Sequence, residues 1–161
     1  MSSDFRALDV DRWDEEPLTA ADLAIEDPRS AAELLQIAQQ KQSGVRTRLA
    51  SNDTAGALAT ILDDVPSGHH AEEAKRVTFS LLLETLNATR STDIPAALRT
   101  LDIAQRETLM KYLYKGLELG GTRAGAAEGI NCAVLLLWHE KLTQVAGTGC
   151  IMRVMTDRRV L

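Results

Sequence analysis

The sequence predicts an all-α fold, on three observations. Aromatic residues make up only 4% of the 161 positions, so a core must be assembled from Leu, Ala, Ile and Val, and Ala and Leu stand at the top of the helix-propensity scale. From Ser30 onward apolar residues recur at helical spacing between recognisable capping residues. No stretch shows the β-branched alternation of a half-buried strand. A chain this long suits one compact domain with a tail, and it buries a core without disulfide staples.

Each element follows in order. Pro28 precedes Ser30, which serves as an N-cap with Glu33 at the third helical position, the arrangement of a capping box. Ala31, Leu34, Leu35, Ala38, Val45 and Leu49 give this first helix an apolar face, with Gly44 as a weak point. Asn52 or Asp53 caps a short second helix that runs through Leu62 and is stopped by Pro66 and Gly68. A long third helix is expected from about Ala71 to Arg90, with Val77, Leu81, Leu82 and Leu86 on one face and Glu72 paired with Arg76 at i,i+4. Thr92 or Asp93 caps a fourth, with Pro95 in the first turn where proline is tolerated, ending near Ile103. A fifth runs from about Ala104 to Leu119 and ends at Gly120-Gly121, followed by the loop GTRAGAAEG. A sixth spans about Asn131 to Ala146 and is broken by the GTG at 147–149. A seventh covers Cys150 to about Asp157.

A faint repeat runs through this series. Asp53, Ala57, Leu58, Thr60 and Ile61 recur forty positions later as Asp93, Ala97, Leu98, Thr100 and Leu101, and each short capped helix is followed by a longer one. That period suits stacked helix pairs; chance similarity between two capped Ala/Leu helices gives the same pattern. Either way, antiparallel helices joined by short loops are implied.

The chain carries a formal charge of −5, and the acidity is concentrated. Residues 1–30 hold nine acids against Arg6, Arg12 and Arg29, while the rest is close to neutral. Such a balance argues against nucleic acid as a partner and for solvation or docking on a basic protein surface. Residues 1–29 are read as an extended acidic arm and 30–161 as the helical domain. The arm has no sustained helical period, yet it carries Phe5, Leu8, Val10, Trp13, Leu18 and Leu23 at intervals. This spacing admits two readings: a segment that orders on a partner, with apolar anchors for energy and acids for orientation, or a tail that folds back on its own domain or is idle.

Candidates for chemistry are few. His139-Glu140, at the end of the apolar run Ala133 to Trp138, lacks the second histidine four residues on that a zinc protease needs; Thr143 stands there. His69 and His70 sit in a Pro-Ser-Gly-His-His turn expected to be exposed. Three histidines and two cysteines at these spacings give no ligand set, so no metal and no cofactor are expected. Cys132 and Cys150 read as packing thiols. No nucleophile motif, P-loop or dinucleotide fingerprint is present, no carboxylate pair stands out as an acid/base couple, and no enzyme is expected. The acidic start lacks the apolar core of a signal peptide, so the reading is a cytosolic protein. The sixth helix, apolar all round in its first half, is expected to be buried on all sides, as a central helix or one covered by a partner. The seventh leaves little but Arg153 and Asp157 for water, so it packs centrally or lies in an interface.

Three stretches carry a resemblance. FRALDVDRWDEE near the start, LMKYLYKG (109–116), and AVLLLWHEKL with the closing GTGCIMRVMTDRRV are similar, in this order along the chain, to subunit 5 (the p16 subunit) of the actin-related protein 2/3 complex. The match is strongest at 5–15 and 104–157 and weaker over about 26–103, where the first helix is longer; GTRAGAAEG looks like an insertion. The resemblance implies a non-catalytic, all-α superhelical scaffold subunit of the complex that nucleates branched actin filaments. Its helical domain would seat on the β-propeller subunit and subunit 4, and its arm would tether actin-related protein 2. The arm positions that match are Phe5, Arg6, Asp9, Val10, Asp11, Asp14 and Glu15, with Trp13 where the family often has tyrosine. Ile151, Met152 and Met155 would be core or propeller-facing groups, and ATP and metal would belong to the actin-related subunits. The alternative is a free-standing helical-repeat adaptor, which predicts a polar last helix.

Overall fold

A computed structural model describes Thr19, residues 27–122, residues 129–159 and Leu161. The arm positions Phe5, Arg6, Asp9, Val10, Asp11, Trp13 and Asp14 and most of the GTRAGAAEG loop lie outside the described residues. Those described form seven α-helices and no strand: α1 Ala31–Ala50, α2 Thr54–Leu62, α3 Glu72–Ala88, α4 Ile94–Thr100, α5 Ile103–Gly120, α6 Cys132–Ala146 and α7 Thr148–Thr156. The all-α expectation and its helix order hold.

Local chemistry explains most boundaries. Ser30 and Glu33 form the expected reciprocal capping box at α1. Helix α1 runs through Gly44 without a break, because Val45 is fully buried and holds that turn on the core. Asp53 caps α2 by accepting from the amide of Gly56. Before α3 the chain makes a 3-10 turn, His69–Ala71, so the long helix starts one residue later and stops two earlier than its periodicity suggests. Glu72 pairs with Lys75 at 3.3 Å, one turn along, rather than with Arg76. Helix α4 ends at Thr100, not near Ile103, because Asp102 and Gln105 form a second capping box that starts α5. The sequence reading passed over that Asp-x-x-Gln signal. Asn131 caps α6 through the amides of Ala133 and Val134.

Of the GTG triplet, Gly147 alone interrupts the chain. Its φ of 74° is left-handed, which glycine adopts without steric cost. Thr148 and Gly149 already belong to α7.

The core is one cluster shared by all seven helices. It includes Val45 from α1, Leu58 and Ile61 from α2, Leu82 and Leu86 from α3, Leu98 from α4, Leu109 and Leu113 from α5, Leu135, Trp138 and Leu142 from α6, and Cys150 from α7. A smaller cluster of Leu34, Ala38, Ala71 and Ala74 seats the first half of α1 on the start of α3. The forty-residue repeat has a structural counterpart. Ala57, Leu58 and Ile61 are buried, and so are Ala97, Leu98 and Leu101. Helices α2 and α4 pack against each other.

Candidate partner-binding surfaces

The last residues of the arm, from Asp27 on, are tied to the helical domain. Arg29, assigned to the arm by sequence, is bound to the helical domain. Its guanidinium donates to both carboxylate oxygens of Asp64 in the loop after α2 and to Asp27. The Arg29 guanidinium beside Asp27 holds that carboxyl down at about 2 against the opposing effect of its burial. Asp64 is lowered by the same partner. The Asp64 backbone is itself left-handed, φ 44°, a conformation aspartate tolerates better than most residues. Lys41 of α1 donates to the carbonyls of Asp63 and Asp64, and Nε2 of His70 lies 2.9 Å from the carbonyl of Arg29. Arm root, α1, the α2–α3 loop and the 3-10 turn are thus joined by one polar network. In the Pro-Ser-Gly-His-His turn only the two histidines are exposed; Pro66, Ser67 and Gly68 are buried.

Helix α7 is the second candidate surface. Cys150 is fully buried, with Ile151 and Val154 half-buried against the core. These positions, i, i+1 and i+4, make the inner stripe. Met152 and Met155, three apart on the other side, are 64% and 73% exposed. The expectation that this helix leaves little but Arg153 and Asp157 for water is therefore corrected. Of the three residues singled out on α7, Ile151 packs inward and the two methionines face out. The helix is held by ion pairs to α5: Arg153 with Glu107, and Lys111 with Asp157 at 2.7 Å.

Helix α6 also departs from expectation. Leu135, Trp138 and Leu142 are buried, whereas Leu136 is 57% exposed. Ala133, Leu136, Glu140 and Gln144 form an outer stripe, so the helix is covered on one side only. With Ile103, 66% exposed at the start of α5, Leu136 and the two methionines are the large exposed apolar groups among the described residues. Ile103 and Leu136 were not singled out from sequence. Leu136 was hidden within an unbroken leucine run, where only the register of the buried tryptophan reveals which leucine faces out.

The His139-Glu140 pair assembles no polar centre. Nε2 of His139 lies 3.2 Å from the Tyr114 hydroxyl, in an edge-on ring contact. Glu140 points away, bonded to Lys141 and Gln144. Cys132 and Cys150 are free thiols, and burial pushes the Cys150 thiol up. Among the described residues no three His, Cys, Asp or Glu side chains gather as a metal site requires, and no helix is long and apolar enough to cross a membrane.

Comparison with known proteins agrees with the resemblance seen in the motifs. Residues 4–161 match the family model described as the ARP2/3 complex 16 kDa subunit (p16-Arc). Actin-related protein 2/3 complex subunit 5 of Saccharomyces cerevisiae is 36% identical over 163 aligned positions, covering 100% of both chains. Subunit 5-C of Xenopus laevis is 32% identical over 161, covering 100% of this chain and 97% of its own. The subunit 5-like protein of Homo sapiens is 30% identical with the same coverage. With residues 4–161 matched by the family model and relatives of the same extent aligned end to end, the all-helical chain belongs to the p16-Arc family.

Proposed function

We propose that this chain is a non-catalytic scaffold subunit of an actin-related protein 2/3 complex, acting in the cytoplasm on the actin cytoskeleton. The observation that carries this reading is the end-to-end match to relatives named as subunit 5 of that complex. In this reading the helical domain of residues 30–161 seats on the β-propeller subunit and subunit 4, and the arm of residues 1–29 tethers actin-related protein 2. The outward Met152 and Met155 support a partner-facing role for α7. Apolar groups of that size are commonly covered in an assembly, and methionine adapts to irregular surfaces.

The mechanism is tethering. A segment fixed at its root by Arg29 keeps the actin-like subunit at high local concentration beside the scaffold. It stays attached while that subunit swings toward a filament-like arrangement. Phe5, Val10 and Trp13 supply apolar anchors, and Arg6, Asp9, Asp11 and Asp14 supply orientation. ATP and metal belong to the actin-related subunits. The test is the double substitution Phe5→Ala with Trp13→Ala in the reconstituted complex. Actin-related protein 2 is expected to be lost more readily and branching to fall, with the helical content of the isolated chain unchanged. Full retention of actin-related protein 2 would refute the tether.

A further inference from the structure

Between α3 and α5 lies a cavity of about 280 Å³ whose lining mixes cations with apolar groups. Lys75, Arg76 and Lys115 bring positive charge, with Glu72 the one carboxylate side chain in the lining and Glu118 beside it paired with Lys115 at 3.1 Å, while Phe79, Leu119 and Leu161 form the apolar wall. Tyr112 also lines it. This side chain is only 2% exposed, and its hydroxyl has no hydrogen-bond partner among the described residues. A buried hydroxyl without a partner is uncommon and costs about 1–3 kcal/mol, so such a group calls for an explanation. Burial also raises the Tyr112 phenol well above its ordinary value. It therefore keeps its proton and can act as a donor. Lys75 is 6% exposed and shares its charge with the largely exposed Glu72 at 3.3 Å. Arg76 makes no ion pair among the described residues.

We propose that this cavity receives a carboxylate side chain, flanked by an apolar one, from another polypeptide of the same assembly. A donor hydroxyl and the Arg76 guanidinium, the lining cation without an ion pair among the described residues, select an anion. Walls of Phe79, Leu119 and Leu161 select an apolar neighbour beside it, which a free inorganic anion does not provide. A volume at the low end for small-molecule sites fits side chains rather than a cofactor. The proposal rests on the complex-subunit reading but uses none of the arm residues and none of the outward residues of α7. It also gives a role to Tyr112 and Lys115 of the LMKYLYKG stretch, which the tether reading leaves without one.

Zero-length carbodiimide cross-linking of the purified complex, followed by mass spectrometry, tests it. The reagent joins a lysine amine to a carboxylate in direct contact. The expected product links Lys75 or Lys115 to an Asp or Glu of another subunit, and Tyr112→Phe weakens incorporation of the chain by about tenfold while its thermal midpoint does not fall. Links confined to Glu72 and Glu118, or running to the chain's own arm, overturn the proposal while the subunit reading stands. Unchanged incorporation of the Tyr112→Phe chain overturns it too. A chain that copurifies with no other subunit overturns both readings.

Discussion

The indole N–H of Trp138 on α6 donates to the carbonyl of Leu86 on α3, 3.3 Å away and fully buried. Leu86 sits in the last turn of α3, where carbonyls have no partner within the helix. The tryptophan therefore fills the core with its ring and satisfies a helix end with its nitrogen. Trp138→Phe is expected to cost about 1–3 kcal/mol, because it strands a buried acceptor. Trp138→Ala should cost about 3–5 kcal/mol through the added cavity. Chemical denaturation of the isolated chain measures both. Equal stabilities for the phenylalanine variant and the parent would show that the bond contributes nothing.

Two glycines in helices should respond with opposite sign. A Cβ at Gly116 of α5 would lie 2.8 Å from Cδ1 of Leu135 and 3.5 Å from Cζ of Phe79, at the close crossing of α5 and α6. Gly116→Ala is expected to destabilise by about 1–3 kcal/mol. A Cβ at Gly44 of α1 would meet nothing within 4 Å, so Gly44→Ala should stabilise by about 0.5–1 kcal/mol through helix propensity alone. Thermal midpoints that shift in the same direction would contradict this contrast.

The root of the arm predicts a pH dependence. Asp27 titrates near 2 in the folded chain against an ordinary 3.8, and Asp64 is lowered as well. Depressed carboxyls contribute stability that is complete above about pH 4 and is lost as pH falls toward 2. Arg29→Met should cost about 1 kcal/mol at pH 7, the modest figure reflecting that Arg29 and Asp64 are partly exposed. The difference from the parent should shrink on acidification, as followed by thermal midpoints between pH 7 and pH 2. A gap that widens at low pH would contradict the assignment.

Met152 and Met155 make a separable prediction. Substituting both with serine should leave the isolated fold within about 0.5 kcal/mol of the parent, because both are exposed. Incorporation into the complex should weaken measurably, as titration against the remaining subunits would show. If stability falls and incorporation does not, the face is structural and the partner lies elsewhere.

Much of the fold was legible because local signals agreed with packing. Ser30-x-x-Glu33, Asp53 and Asn131 mark starts that the structure uses. The boundaries misplaced were those where a competing local signal was stronger than periodicity. Asp102-x-x-Gln105 starts a new helix within an apolar run, and the 3-10 turn displaces the start of α3. Surfaces were harder to read. Leucine has the same appearance in sequence whether it is Leu135 at 1% exposure or Leu136 at 57%, and only the neighbours of Trp138 decide. The cavity beside Tyr112 was not legible at all, since an unpaired hydroxyl depends on what three-dimensional packing fails to supply. Arg76, without an ion pair among the described residues, shows the same limit, its expected partner Glu72 having turned to Lys75.

The central claim is that one chain both seats in the complex and holds actin-related protein 2 by its arm. Affinity purification of the tagged full chain beside a version lacking residues 1–24 tests it most directly, with identification of the copurifying proteins. The account predicts actin-related proteins and a β-propeller subunit with the full chain, and selective depletion of actin-related protein 2 with the truncated one. Recovery of the chain alone or with unrelated partners would contradict the subunit reading, and undiminished actin-related protein 2 with the truncation would contradict the tether.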